Sequence, residues 1–187
     1  MFFSNEPYKS YRDLFNVYAV YAVSANEGFE TGRESTALNS SFMGGTLIEG
    51  NAEKVFKYAL KVIDEERMDN ASIIVVLNST NYAGTCYYFN GEYCDYGSGI
   101  SISYVPIQDG LELFGSTILH EACGHGFAKL ADENSTEANG QIPSSLVSDI
   151  KDKEKYGWWS NIDFTADPSV IKWARFISDQ RYASERI

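Results

Sequence analysis

Alternation in DLFNVYAVYAVSA, residues 13–25, sets Phe15, Val17, Ala19, Tyr21 and Val23 on one side of the chain and predicts a strand. The opposite side is also rather apolar, which suits a strand covered on both faces. Residues 26–50, with their Gly, Ser and Thr, read as loop. Ala52, Val55, Phe56, Ala59, Leu60 and Ile63 then recur at helical spacing behind Asn51, a good N-cap residue, and predict a helix. ASIIVVLNST (71–80) is a short β-branched run between polar residues, the pattern of a buried central strand. TCYYFNGEYCDY (85–96) reads as a hairpin about Asn90-Gly91, and ISISYVPI (100–107) as a further strand.

A long helix follows. It starts near Asp109, where Asp109 and Glu112 have capping-box spacing, or afresh at Ser116 behind Gly115, and it runs to about Leu130. ADENSTEANGQIP (131–143) is a polar loop, SSLVSDIKDKEKY (144–156) a surface helix, and PSVIKWARFISDQRY (168–182) another helix with Pro168 near its start. Strands alternating with helices predict α/β layering, an α+β domain in which the 109–130 helix packs on a mixed sheet.

At 187 residues the chain fits one domain, 1–187, that buries roughly 70% of its unfolded surface, so a core forms without disulfides. Fifteen basic against 26 acidic residues give a net charge of −11, which argues against nucleic acid or an anionic membrane as partner. The longest apolar runs, VYAVYAV (17–23) and IIVVL (73–77), are far shorter than the ~20 residues of a membrane span. MFFSNEPYKS lacks a basic start followed by an apolar core, so the expectation is cytosolic residence or a domain from a longer secreted precursor. Nothing sets an oligomeric state, and a monomer is the working expectation. Three cysteines leave a question of register. A two-residue hairpin loop puts Cys86 opposite Asp95, whereas a three-residue loop with a left-handed Gly91 puts it opposite Cys94, in reach of a disulfide. Cys123 reads as a small buried apolar residue.

Candidate chemistry is concentrated in one hexapeptide. His120 and His125 are the only histidines, and both lie in HEACGH with Glu121 after the first. Imidazole is the commonest zinc ligand, and a carboxylate beside it is the usual general base of a zinc hydrolase. Five-residue spacing imposes a geometric condition. In a regular α-helix, residues four apart are offset by about 40°, whereas residues five apart diverge by about 140°. A single ion therefore requires one extra residue to be absorbed between Glu121 and His125. A π-bulge or an equivalent irregularity near 121–125 does this, and Gly124 makes the distortion sterically easy.

Catalytic zinc usually has three protein ligands and an open position. With no third histidine, the remaining donor is a carboxylate, a thiolate or a group outside the chain. Asp132 and Glu133 follow the motif helix, where a turn brings a carboxylate back; Asp132 is preferred over Glu133, and Cys123 is the poorest choice. In the expected reaction zinc activates a water and polarises a carbonyl, while Glu121 takes the water's proton and passes it to the leaving amine.

STILHEACGHGFAKLADEN resembles the bacterial immunoglobulin A peptidase family of zinc metalloendopeptidases, in which a helix with His-Glu and a second His runs on through GF-x-x-L-A-D-E. FFSNEPYKSYRDLFNVYAVYAVS, DYGSGISISYVP and YGWWSNIDFTADPSVIKWARF also fit, so the resemblance spans most of the chain. It implies zinc ligands at His120, His125 and Asp132, a general base at Glu121, and a metzincin-like fold. It also implies a secreted or surface-attached enzyme acting on a protein or glycoprotein substrate. Three departures stand out. Many relatives have the shorter HExxH spacing; Asn134 replaces an aromatic residue after DE; and no methionine follows the motif to form the Met-turn beneath a metzincin zinc. A member truncated at its C-terminus accounts for the last, because RYASERI carries no helix stop.

Two other functions compete with the endopeptidase: a non-catalytic zinc-binding module, and a zinc hydrolase of a non-peptide amide. Trp158-Trp159 fits core better than a substrate groove, DYGSG (95–99) fits a turn, and the acidic residues 132–137 lack the spacing of a calcium loop.

Overall fold

A computed structural model describes residues 2–26, 36–92, 94–132 and 142–182. The chain divides into two compact units, Met1–Ala128 and Lys129–Ile187.

The first unit is built on a three-stranded mixed sheet of order β3-β5-β4, with β3 Ser72–Leu77, β4 Thr85–Tyr88 and β5 Ser101–Pro106. Every residue of β5 is buried, so β5 is the central strand. β3, expected at the centre, runs parallel to it at the edge, and Val76 is 54% exposed. The β-branched run reported burial but could not distinguish centre from edge. One sheet face carries Ile102 and Tyr104 with Val75 and packs on α1 (Ala52–Ala59), through Val55, Phe56 and Ala59. Asn51 caps α1 as expected, its side chain accepting from Lys54 N at 2.9 Å. The other face carries Ser101, Ser103 and Val105, and Val105 packs against Ile118 and Ala122 of the motif helix. The mixed sheet with helices is the α+β arrangement the pattern implies.

Four expected elements differ. Residues 15–24 form no strand; a 3-10 turn at Arg12–Leu14 leads into irregular chain with Val17, Tyr21 and Val23 exposed. Apolar residues on both sides select no face, and Phe15 is instead drawn into an aromatic cluster with Phe2, Phe3, Tyr8 and Phe127. The region read as loop contains an antiparallel hairpin, β1 Ser41–Gly44 and β2 Leu47–Glu49, turning through Gly44 and Gly45, both at positive φ. The hairpin about Asn90-Gly91 does not form. β4 pairs with β5, with Cys86 opposite Ser103, while Asn90 closes a local turn by accepting from Glu92 N and Cys94 N. Cys86 and Cys94 are accordingly free thiols.

In the second unit α3 (Ser144–Glu154) matches expectation, with Ile150 and Trp158 in its core. The helix read over 168–182 shrinks to α4, Ala174–Ile177. Asp163 and Asp167 bind the backbone N–H groups of Thr165, Lys172 and Ser169, a local alternative that competes with helix formation.

Candidate metal centre

α2 (Leu111–Ile118) continues without a break into a π-helix over Leu119–Phe127, nine residues holding the whole hexapeptide. The helix starts at Gly110 with no side-chain cap, so the Asp109–Glu112 box is not made, and it passes through Gly115. Its end is marked by Ala128 N donating to Cys123 O at 3.0 Å, an i→i+5 bond. In such a helix residues five apart stack one turn above the other, as residues four apart do in an α-helix. The rings of His120 and His125 therefore converge, centroids 4.5 Å apart at 78°, with Nε2 to Nε2 at 3.2 Å. Two nitrogens at 2.0–2.1 Å from one tetrahedral ion lie about 3.3–3.4 Å apart, so the pair fits a shared zinc. The condition imposed by five-residue spacing is met along the whole turn rather than by a single bulged residue.

A π-helix is held by what lies under it. Ser103 Oγ donates to Glu121 O at 3.1 Å and Ser101 Oγ to Gly126 O at 2.8 Å, both serines fully buried on the facing sheet. Ser103 Oγ has one proton, so its 3.2 Å contact with Cys86 Sγ has the thiol donating. From the other side Tyr8 OH donates to Cys123 O at 2.9 Å. The helix comes so close to the sheet that a Cβ on Gly126 would stand 2.9 Å from Ser103 Oγ and 3.2 Å from Ser101 Oγ and Ser72 Oγ. Gly124, the residue the sequence singled out, has room for a Cβ: its nearest neighbour would be Leu119 O at 3.6 Å. Gly126 is the position that demands glycine.

Glu121 is buried beside the histidines, 8% exposed. Its carboxylate occupies space vacated by Gly84, where a Cβ would come within 2.6 Å of Oε1. Gln108, buried and at φ 52°, fastens that neighbourhood: its Nε2 donates to Ala83 O at 3.1 Å and to Thr117 Oγ1 at 2.9 Å, and Thr117 in turn donates to Leu113 O. The loop over the general-base candidate is thus tied to the helix one turn before it.

Burial raises the Cys123 thiol to about 12 and, with Cys123 alongside, the Tyr8 hydroxyl to about 12. A thiol this weakly acidic stays protonated in the metal-free chain, which suits the small buried residue the sequence implies. Asp132 belongs to the second unit and is exposed, preceded by the buried Ala131; Glu133, Asn134 and the acidic loop to 137 lie outside the described residues except for Asp132.

The profile of the IgA Peptidase M64 family matches residues 1–183. The chain belongs to this family. It is therefore a peptidase, a hydrolase of a metallopeptidase family. No curated protein and no solved structure matches the chain. Among the described residues no helix is long and apolar enough to cross a membrane.

Sequence reasoning missed the parts of this M64 site that support the motif. Ser101 and Ser103 did carry a signal: two hydroxyls at strand spacing inside an otherwise apolar strand mark one face for a polar partner. Gln108 and Tyr8 carried none, because their partners are 9 and 115 residues away.

Proposed function

We propose that the chain is a zinc-dependent metalloendopeptidase that cleaves extracellular proteins or glycoproteins, is secreted or held at the cell surface, and has a metzincin-like fold. The observation that carries the reading is the 3.2 Å convergence of His120 and His125 on a π-helix that also carries the buried Glu121. His120 and His125 would hold zinc through Nε2, and Asp132, seven residues on, would supply the third donor. When bound, zinc supplies Lewis acidity, lowering the pKa of a water and drawing charge from a carbonyl.

The remaining work falls to Glu121. Ionised, it accepts the proton of the attacking water on a carboxylate oxygen and then delivers it to the leaving amine nitrogen, so the carboxylate is regenerated at each turnover. Gly84 leaves space for that oxygen, and the Gln108–Thr117–Ala83 bonds hold the space open. Elemental analysis of the purified chain, followed by digestion of a peptide library with and without chelator, tests the proposal. One zinc per chain and cleavage abolished by chelator are expected. Stoichiometric zinc without chelator-sensitive cleavage would replace the peptidase with a zinc-binding module.

A further inference from the structure

Within the second unit, one side chain grips the backbone immediately before Asp132. Asn161 Oδ1 accepts from Ala131 N at 2.8 Å while its Nδ2 donates to Ala131 O at 2.9 Å. Only a carboxamide, with a donor and an acceptor side by side, satisfies both groups of one residue in this way. Two residues back the same strand of contacts repeats, Trp159 N donating to Lys129 O at 2.7 Å, with Lys129 and Trp159 both in the left-handed region at φ 55° and 58°. Residues 129–131 are therefore clipped along their length to 159–161, and the clip ends at the residue from which Asp132 departs.

We infer that Asn161 is a positioning residue for zinc binding, fixing the backbone at Ala131 so that Asp132 is presented as the third ligand; this rests on the reading of Asp132 as a ligand. An exposed carboxylate on an untethered turn would lose conformational freedom each time the metal bound, and a clip that orders its backbone in advance removes that cost. Groups that orient ligands from outside typically contribute 10–100-fold to metal affinity. Asn161 is itself exposed, so its removal opens no cavity in the core.

The test is zinc affinity of the full chain, measured by competition with a fluorescent chelator, for wild type, N161A, N161D and D132A, and for N161D/D132A. Asn161→Asp keeps the shape, retains the acceptor and replaces the donor, setting a carboxylate oxygen against Ala131 O. Both Asn161 variants should bind zinc about 10–100-fold more weakly, with far-UV circular dichroism unchanged. Asn161→Asp should cost nothing further once Asp132 is gone, because it acts through that residue. Amide exchange at Ala131 should accelerate in both variants even without metal. Unchanged zinc affinity in N161D beside a weakened D132A overturns the positioning role and leaves the ligand; equal losses from N161D with and without Asp132 also overturn it, as the effect would then be general. Unchanged affinity in D132A removes the ligand reading and this inference with it.

Discussion

The close approach of the π-helix to the sheet makes a paired prediction about two glycines two residues apart. In Gly126→Ala the new methyl would stand 2.9 Å from Ser103 Oγ, with Ser101 Oγ and Ser72 Oγ at 3.2 Å. No flexible group is available to move aside, since Ser101 and Ser103 are fully buried and bonded to Gly126 O and Glu121 O. Rotating Ser103 away leaves a buried carbonyl short of a donor, at about 1–3 kcal/mol. Keeping it in place means overpacking, also about 1–3 kcal/mol. Alanine's advantage over glycine in a helix offsets about 1 kcal/mol. The chain takes the cheaper of the two escapes, so the net loss should be up to about 2 kcal/mol. Gly124→Ala meets only Leu119 O at 3.6 Å and keeps the helix advantage, so it should be neutral or up to about 1 kcal/mol stabilising.

Urea unfolding of the metal-free variants, followed by far-UV circular dichroism, measures both changes. Gly126→Ala should be the less stable of the two by about 1–2 kcal/mol. A third variant, S103A in the G126A background, removes the offending oxygen and should recover part of the loss, a coupling that a double-mutant cycle isolates. Equal stability of the two glycine variants, or no coupling to Ser103, would refute the packing argument and with it the account of how the π-helix is held.

Three further outcomes follow from the site. Glu121→Ala should retain stoichiometric zinc while turnover of a peptide substrate falls about 10²–10⁴-fold or more, and full activity would eliminate the proton-transfer role. Gln108→Ala frees Ala83 O and Thr117 Oγ1 together; kcat should fall with zinc content intact, and an unaltered kcat would show that the loop over Glu121 needs no anchor. Stability should decline at alkaline pH. Tyr8 and Cys123 have ordinary values of 10.0 and 9.0 and are raised to about 12 on folding, so the folded state holds protons the unfolded chain releases. Their contribution is complete below about pH 9 and is lost as pH climbs to 12, each group sloping by at most about 1.4 kcal/mol per pH unit. Tyr8→Phe should flatten that decline; an identical slope would remove Tyr8 as its source.

What could be read from the sequence and what could not divide along a physical line. α1, α3, β3 and β5 were legible because periodicity and a cap such as Asn51 are local properties, set by residues within a turn or two. Partnership is not local, so the sequence could not show that Phe15 would join an aromatic cluster rather than start a strand, or that Cys86 would face Ser103 across a sheet rather than Cys94 across a hairpin. The π-helix is the instructive intermediate case. Its existence follows from two histidines five apart once a shared ion is assumed, a purely local deduction. What supports it lies elsewhere, in Ser101 and Ser103 on β5 and in Tyr8 more than a hundred residues upstream. A π turn is less well bonded than an α turn and so rarely stands alone. The widened histidine spacing and the serine stripe therefore belong to one adaptation: a chain with HExxxH could bring its rings together only where the underlying strand offers hydroxyls in place of apolar side chains. Transplanting HEACGH into a helix that packs on an apolar strand should accordingly separate the two histidines, with weak zinc binding as the readout. Tight binding there would mean that the hexapeptide alone sets the turn.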